Sequence, residues 1–284
     1  MRAIMSLFIA ASLSIAAQSA VADIETHSLT QIIADRSEED KSRDAARHPR
    51  QTLEFFQLEP GLTVAEALPG GGWYTKIIAS YLSADGAIYG VNYADRMWPM
   101  FSFATKEFID ERIASARKFG SLVKELTDNG VEARGFTFSA VPSELSGTVD
   151  RFLMIRALHN LNRFEAQAGT RSQALAAVRA LLKDDGMVGV VQHRAAESRP
   201  DDWADGSGGY LKESAVIAMF TDAGFELIAQ SEVNANAKDQ AGPGDTVWRL
   251  PPSFQGSDEG SEQRNVMSAI GESDRMTLLF RKQK

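Results

Sequence analysis

Polar side chains that could move a proton or hold an anion follow two apolar runs of the sequence. Val149–Arg156 reads VDRFLMIR and precedes His159 and Asn160, while the run MVGVVQ is followed at once by His193. A histidine with an ordinary pKa of about 6.5 can accept a proton at neutral pH. Asn160 could orient a carbonyl or hydroxyl group, and Arg156 could hold an anionic group.

A further histidine, His48, precedes the first apolar run of the chain, so three histidines could converge on one mouth of the fold. The candidate catalytic residues are His159, Asn160, Arg156, His193 and His48. A histidine after a strand can equally be a hydrogen-bonded strand terminator, and that alternative stays open. A metal site is not predicted, because the sequence lacks a ligand spacing such as H-E-x-x-H and contains no cysteine.

A second place for chemistry is the run of glycines Gly70–Gly72, which lies between a predicted buried strand, Thr63–Ala67, and a predicted amphipathic helix, Trp73–Leu82. Glycine lets the backbone approach a ligand because no Cβ stands in the way, and a helix N-terminus offers unpaired N–H groups. Glu66 could accept a hydrogen bond from a ligand. Trp73 could wall the pocket or pack in the core.

Other readings of these glycines are weaker. The phosphate-binding pattern G-x-x-x-x-G-K-[ST] is absent, and W-Y-T follows the glycines where a nicotinamide-binding turn would need G-x-G-x-x-G. The glycines could instead serve only close packing of helix on strand. Contact with a ligand is the favoured interpretation.

The elements that must position these residues alternate between strand and helix along the chain. Further strands are predicted at Ala87–Tyr93, Val131–Phe138, Val149–Arg156, Met187–Gln192, Phe225–Val233 and Thr277–Arg281, and the longer helices at Trp98–Asn129, Phe164–Leu182 and Leu211–Ala223. Lys183–Gly186 is predicted as an exit turn and Asn234–Glu262 as a surface excursion. This alternation predicts an α/β fold, a doubly wound and mostly parallel sheet with a terminal antiparallel strand pair. Ligands bind such sheets at the carboxyl ends of the strands.

The N-terminus has the pattern of a bacterial secretory signal. Arg2 is a short positive region, Ile4–Ala17 is uncharged and apolar, and Ala20-Val21-Ala22 is an A-x-A cleavage site. We therefore expect residues 1–22 to be removed, leaving a periplasmic or secreted chain of residues 23–284. That chain is predicted to form one domain with a helical lead over residues 23–58.

The net negative charge of the protein disfavours partners that are themselves negatively charged. A net charge of -8 and a pI near 5.2 argue against nucleic acid or an anionic membrane as the main partner. After signal cleavage no segment is long and apolar enough to cross a bilayer. A small-molecule substrate is the expected partner.

The glycine turn carries a resemblance to a known family. The pattern V-x-E-x-x-P-G-G-G resembles the first motif of the class I S-adenosylmethionine-dependent methyltransferases, which have a Rossmann-like, seven-stranded sheet. The resemblance implies S-adenosyl-L-methionine as cofactor, methyl transfer to a small molecule, and cofactor binding by Glu66, Gly70, Gly71, Gly72, Trp73 and Asn92. Leu68 stands where the family's first glycine is usual, and Asn92 where an acid is usual.

A closer resemblance is to a poorly characterised branch of exported bacterial predicted methyltransferases. The segments that carry it are R-H-P at Arg47–Pro49, P-G-G-G-W-Y-T at Pro69–Thr75, H-N at His159-Asn160 and G-E-S-D-R-M at Gly271–Met276. The alternative is an exported, non-catalytic protein that reuses the fold to bind a nucleoside or another metabolite. That alternative is favoured by Asn92 in place of an acid at the end of the strand Ala87–Tyr93, and by the lack of the acid that the family often has after the strand Val131–Phe138.

Overall fold

The computed structural model describes residues 28–283, so the predicted signal segment lies outside the described residues. The strands in this range are β1 (Thr63–Ala67), β2 (Ala87–Asn92), β3 (Glu132–Thr137), β4 (Val149–Ile155), β5 (Leu182–Ala195), β6 (Leu211–Lys212), β7 (Phe225–Ser231) and β8 (Arg275–Lys282). The α-helices are α1 (Leu29–Ala34), α2 (Glu38–Lys41), α3 (Asp44–Arg47), α4 (Pro49–Phe55), α5 (Trp73–Leu82), α6 (Lys106–Arg117), α7 (Phe119–Leu126), α8 (Leu158–Arg163), α9 (Glu165–Ala168), α10 (Thr170–Leu181), α11 (Glu213–Asp222) and α12 (Glu262–Ile270). Short 3-10 helices span Asp95–Met100, Ser143–Leu145 and Val247–Arg249.

The strands form one sheet in the order β3-β2-β1-β4-β5-β8-β7, with the short β6 paired to the end of β5. Pairing is parallel from β3 through β5, and β8 is antiparallel to both β5 and β7. The predicted fold class is therefore confirmed. The chain leaves β1 toward β2 on one side and returns to β4 on the other, so the carboxyl ends of β1 and β4 form the crevice where such sheets bind ligands.

Both faces of the sheet are covered. Along β4, Phe152 and Met154 pack in one hydrophobic cluster, while Leu153 and Ile155 pack in another on the opposite face. This is the two-residue alternation of a strand buried on both sides. Helices α1, α4 and α5 contribute to the second cluster, so the described part of the N-terminal lead packs against the sheet.

The predicted element boundaries differ from the structure in a few places. Trp98–Asn129 is largely helical as predicted, but the helical residues are divided. A 3-10 helix containing Pro99 ends before a turn, α6 begins after the N-cap Thr105, whose hydroxyl accepts from Phe108 N, and α7 follows. The exit turn expected at Lys183–Gly186 is wrong, since it belongs to β5, where the pairing with β4 shifts register.

The other boundary corrections concern where two helices begin. Leu211 pairs with Arg194 as a strand residue, and α11 begins only at Glu213. Pro49 is the first residue of α4, where proline is well suited to the first turn of a helix.

Two glycines explain how α6 and α7 approach the sheet. Gly90 of β2 and Gly135 of β3 are paired neighbours, and Phe119 lies over both, with its ring at Gly90 and its Cβ at Gly135. A Cβ added at Gly90 would lie 2.5 Å from ring atoms of Phe119, and one at Gly135 would overlap the Ala116 carbonyl oxygen. The absence of a Cβ at these two positions therefore allows the helices to pack directly against the strands.

Replacing Gly90 with alanine is expected to lower the free energy of unfolding by about 1–3 kcal/mol, because the methyl group forces the Phe119 ring out of its position. Urea denaturation followed by circular dichroism measures the change. Gly71→Ala is the matched control, because a Cβ there meets no atom within 4 Å, and we expect it to change stability by less than about 0.5 kcal/mol. Equal stability of the two variants would contradict the proposed packing.

Candidate functional site

Two adjoining cavities lie at the carboxyl ends of β1, β2, β4 and β5. The larger cavity, of about 690 Å³, reaches from the glycine turn to α6 and α7, and the smaller cavity, of about 310 Å³, lies over the ends of β4 and β5. Leu68, Tyr93 and Asn160 line both. A molecule in one cavity could therefore meet a molecule in the other at these three residues.

The turn after β1 has left-handed backbone at alternate positions. The φ angles of Leu68, Gly70 and Gly72 are 52°, 59° and 82°. Leu68 thus adopts a conformation that glycine adopts readily, although it costs a residue with a Cβ about 1–2 kcal/mol. The turn therefore keeps three left-handed positions with only two glycines at them.

The three glycines have different surroundings. Gly70 lines the larger cavity. Gly72 is pressed against α7, since an added Cβ would lie 2.7 Å from Leu126 Cδ1, whereas Gly71 is exposed and meets nothing within 4 Å. The structure therefore places only Gly70 at the cavity wall. Binding of a cofactor by Gly71 and Gly72 stays a prediction.

The larger cavity is aromatic and carries polar atoms that have no partner within residues 28–283. Its aromatic wall includes Tyr93 and Trp98, and Asn92 lies beside them with its amide donating to Ser115 Oγ at 3.1 Å. The unpartnered buried atoms at this cavity are Trp98 Nε1, Arg112 Nε and Asn160 Oδ1. Two donors and one acceptor among aromatic rings suit a flat ligand with polar edges.

Tyr93 lies at the boundary between the two cavities. Its hydroxyl donates to the Ala157 carbonyl oxygen at 2.8 Å, and burial raises the pKa of the phenol, which stays protonated at neutral pH. Neither Tyr93 nor Trp98 was predicted as a site residue. Their position at and just after the end of a predicted strand was the only signal that could have found them.

Glu66 is buried and does not reach either cavity among the described residues. Thr75 Oγ1 of α5 donates to Glu66 Oε2 at 2.6 Å, which fastens the helix to β1. Burial raises the pKa of the carboxyl group to about 7, against the opposing effects of the Thr75 hydrogen bond and the charge of Arg156. The structure thus gives Glu66 a positioning contact, and its predicted contact with a ligand stays a prediction.

Trp73 lies against the N-terminal helices and is not part of the wall of either cavity. Its Nε1 donates to the Asp40 carbonyl oxygen at 2.9 Å. The guanidinium groups of Arg36 and Arg47 lie 5.0 and 4.7 Å from its ring centroid. Of the two roles left open for Trp73, the structure places it in packing.

The smaller cavity brings four predicted residues together: Arg156, His159, Asn160 and His193. The imidazole centroids of His159 and His193 are 5.5 Å apart, and both rings are buried. His193 Nδ1 shares a hydrogen bond of 2.6 Å with Ser273 Oγ. His159 Nδ1 has no partner within the described chain.

Both histidines differ from the ordinary base that the sequence suggested. Burial lowers the pKa of His159 to about 4, and the nearby charges of Arg156 and Arg163 act in the same direction. Burial and the neighbouring His159 hold the pKa of His193 well below 6.5. The pair is therefore neutral at pH 7 and weakly basic, better suited to orienting a ligand through hydrogen bonds than to removing a proton.

His48 does not join the other histidines. It lies between α3 and α4 with φ 41° and lines neither cavity, whereas its neighbour Arg47 is buried and bonded to Glu272. Glu272 and Ser273 line the smaller cavity and were missed as site residues. The signal for them was the segment G-E-S-D-R-M, which contains both residues and carries part of the family resemblance.

Residues 28–283 contain no group of three or more histidine, aspartate or glutamate side chains placed to hold a metal ion. Within the same range no helix has the length and apolarity that crossing a bilayer requires.

Comparison with solved structures identifies the architecture. The [4+2]-cyclase SpnF superposes with a TM-score of 0.51 at 16% identity, covering 84% of this chain and 80% of that one. Geranyl diphosphate C-methyltransferase from Streptomyces coelicolor A3(2), in complex with Mg²⁺, geranyl diphosphate and S-adenosyl-L-homocysteine, gives 0.50 at 12% identity, covering 92% and 86%. The chain has the Rossmann-like methyltransferase fold.

No family model and no curated protein matches the sequence. The identities to the solved structures are low, so the likeness establishes the methyltransferase fold, and the reaction must be argued from the two cavities.

Proposed function

We propose that the protein is an S-adenosylmethionine-dependent methyltransferase that acts on a small molecule. The observation that carries this proposal is the alternating left-handed turn at Leu68, Gly70 and Gly72, which opens on the larger cavity at the crevice of a methyltransferase fold. The adjoining smaller cavity gives room for a second molecule. A donor site and an acceptor site that meet at one boundary are what direct transfer of a group requires.

The residues of the larger cavity fit the cofactor. The buried Trp98 Nε1 and Asn160 Oδ1 lack partners within the described chain and could bond to polar edges of a nucleoside, while Gly70 and Asn92 would lie along it. Bound S-adenosylmethionine would supply an electrophilic methyl group on a positively charged sulfur.

The protein's own contribution would be alignment and exclusion of water. The Nδ1 atom of neutral His159 has no partner within residues 28–283 and could accept a hydrogen bond from the methyl-accepting substrate. Ser273 would fix the tautomer of His193 through their shared hydrogen bond. Methyl transfer depends mainly on holding the two reactants in line, so neutral, well-oriented side chains are adequate for it.

Isothermal titration of the chain lacking residues 1–22 with S-adenosylmethionine and S-adenosylhomocysteine tests the cofactor. We expect both to bind, and Gly70→Val to lower the affinity at least tenfold, because a β-branched side chain would strain the turn and fill the cavity wall. Gly147→Val is the matched control and should bind as the unchanged protein does, since Gly147 is also left-handed, with φ 69°, but is exposed and lines neither cavity. No heat from either ligand with the unchanged protein would refute the proposed function.

We also propose that the protein belongs to the exported branch and acts outside the cytoplasm. This rests on the secretory pattern of residues 1–22 and on the absence of cysteine from the sequence, which suits an oxidising compartment. Mass spectrometry of the protein from the periplasmic fraction of its own host is the test. A chain that begins at Asp23 is expected, and a cytoplasmic chain that retains Met1 would contradict the proposal.

A binding protein without methyl transfer is the second candidate, and one observation favours it. Asn92 stands where the family usually has an acid, and its amide is already engaged with Ser115. The match to a cyclase adds that the fold is found in a protein named for another reaction. Native mass spectrometry of the exported protein separates the candidates, because a co-purifying metabolite other than the methyl donor, together with no turnover, selects the second.

A further inference from the structure

Arg156 is a cation at the wall of the smaller cavity whose side chain makes no hydrogen bond or ion pair with any other described residue. Its Nε is buried and unpartnered, and its backbone is left-handed, with φ 59°. The residue as a whole is only half-buried, so one edge of the guanidinium is buried without a partner while the rest faces the cavity. Burying a charged nitrogen without a partner is costly, so such a group usually indicates a ligand. Strained backbone beside a cavity is also typical of functional positions.

The residues beneath Arg156 bring further positive charge. Arg47 from the end of α3 and Arg275 from β8 both bond to Glu272, Arg47 through Nε at 3.1 Å and Arg275 through Nη1 at 3.0 Å. Arg47 Nη2 and Arg275 Nε are also buried and have no partner within the described chain. Glu272 therefore does not satisfy all the donors around it.

The charges around this cavity do not balance. Arg47, Arg156 and Arg275 face two acids, Glu272 and Glu66, of which Glu66 is also bonded to Thr75. A fourth arginine, Arg43, lies 3.9 Å from Glu272 but is partly exposed and solvated. One positive charge is left over when Glu66 is ionised and two when it is protonated, so the cluster carries excess positive charge in either state.

We propose that the methyl acceptor is a small carboxylic acid whose carboxylate binds Arg156 in the smaller cavity. A guanidinium offers two parallel donors that match a carboxylate. Arg156 is the only arginine or lysine among the described residues that line this cavity of about 310 Å³, which favours a carboxylate over a phosphate, since a phosphate carries more charge at neutral pH. This inference rests on the proposed function, because it assigns the larger cavity to the methyl donor.

Titration of benzoate and phenylacetate, each against its neutral amide, tests the charge requirement in the presence of S-adenosylhomocysteine. We expect a carboxylate to bind at least tenfold more tightly than its amide, and Arg156→Met to remove that preference, since hydrogen bonds between charged groups are stronger than those to a neutral amide. Arg156→Lys should retain part of it. Arg134→Met is the control, because Arg134 pairs with Glu144 on the surface, outside the cavity.

The outcomes separate this inference from the proposed function. No preference for either acid over its amide, or a preference that survives in Arg156→Met, would overturn it. In a further outcome, Arg156→Met weakens the binding of S-adenosylhomocysteine without weakening that of 5′-methylthioadenosine, which lacks the amino-acid part. In that case Arg156 binds the carboxylate of the methyl donor, and the inference is also overturned. If the unchanged protein binds no S-adenosylhomocysteine, the proposed function fails, while an Arg156-dependent preference for carboxylates measured without it would still identify an anion site.

Discussion

Replacing Glu272 with alanine is expected to lower the free energy of unfolding by about 3–5 kcal/mol, because it leaves buried arginines without a counter-charge. Glu272 is 8% exposed, and its partners Arg47 and Arg275 are 1% and 3% exposed. In a chain of this size that loss corresponds to a fall in melting temperature of about 6–20 °C.

The expected effect is large also because the cluster joins distant parts of the fold. Arg47 ends α3 and Arg275 begins β8, and Arg275 Nη2 also donates to the Ala46 carbonyl oxygen. Losing Glu272 should therefore loosen the N-terminal helices from the sheet as well as leave charges unpaired.

Thermal unfolding followed by circular dichroism measures the effect, with Glu54→Ala as the matched control. Glu54 pairs with Arg50 at 3.1 Å on the surface, where both side chains are about half exposed. Such a pair contributes less than about 1 kcal/mol. Similar melting temperatures for the two variants would show that the Glu272 cluster does not hold the helices to the sheet.

Replacing Glu66 with glutamine is expected to change how stability depends on pH. Burial raises the pKa of Glu66 in the folded protein from 4.5 to about 7. Between these values the folded state holds a proton that the unfolded state has lost, so the stability from this group is complete below pH 4.5 and is lost as the pH rises through 7. The shift corresponds to about 3 kcal/mol.

The measurement is the difference between the two proteins in urea denaturation at several pH values from 4.5 to 8. His159 and His193 act in the opposite direction, because their lowered pKa values make the folded state lose stability as the pH falls below 6.5. They are present in both proteins, so their effect cancels in the difference. Glutamine keeps an acceptor for Thr75 Oγ1, and the glutamine variant should gain relative stability as the pH rises.

Glu144→Gln provides the control for Glu66→Gln. Glu144 is exposed, and the Arg134 guanidinium lowers the pKa of its carboxyl group. Its replacement should therefore give a small difference of the opposite sign. Parallel stability curves for Glu66→Gln and the unchanged protein would mean that Glu66 is not protonated in the folded state.

The placement of the predicted site residues shows where sequence reasoning succeeded. Arg156, His159 and Asn160 follow β4, and His193 lies near the end of the parallel neighbour β5, so the four residues meet at the edge where these strands end. His48 and Trp73 were expected there and lie elsewhere, because α1 to α4 fold against α5 and surround them. Nothing in the local pattern around those two residues indicates which neighbours the N-terminal helices meet.

The sequence pattern predicts the fold class of the sheet, the position of the glycine turn and the strand ends that carry the polar residues. β1 and α5 have the predicted bounds because buried strands, glycine turns and amphipathic helices are encoded by neighbouring residues. Tertiary contacts set the protonation of Glu66 and the histidines and the left-handed backbone of Leu68. They also set the pairing of Arg47 with Glu272 across 225 residues. Burial and charge at these residues are summed over neighbours from distant segments, and those neighbours are known only once the chain has folded.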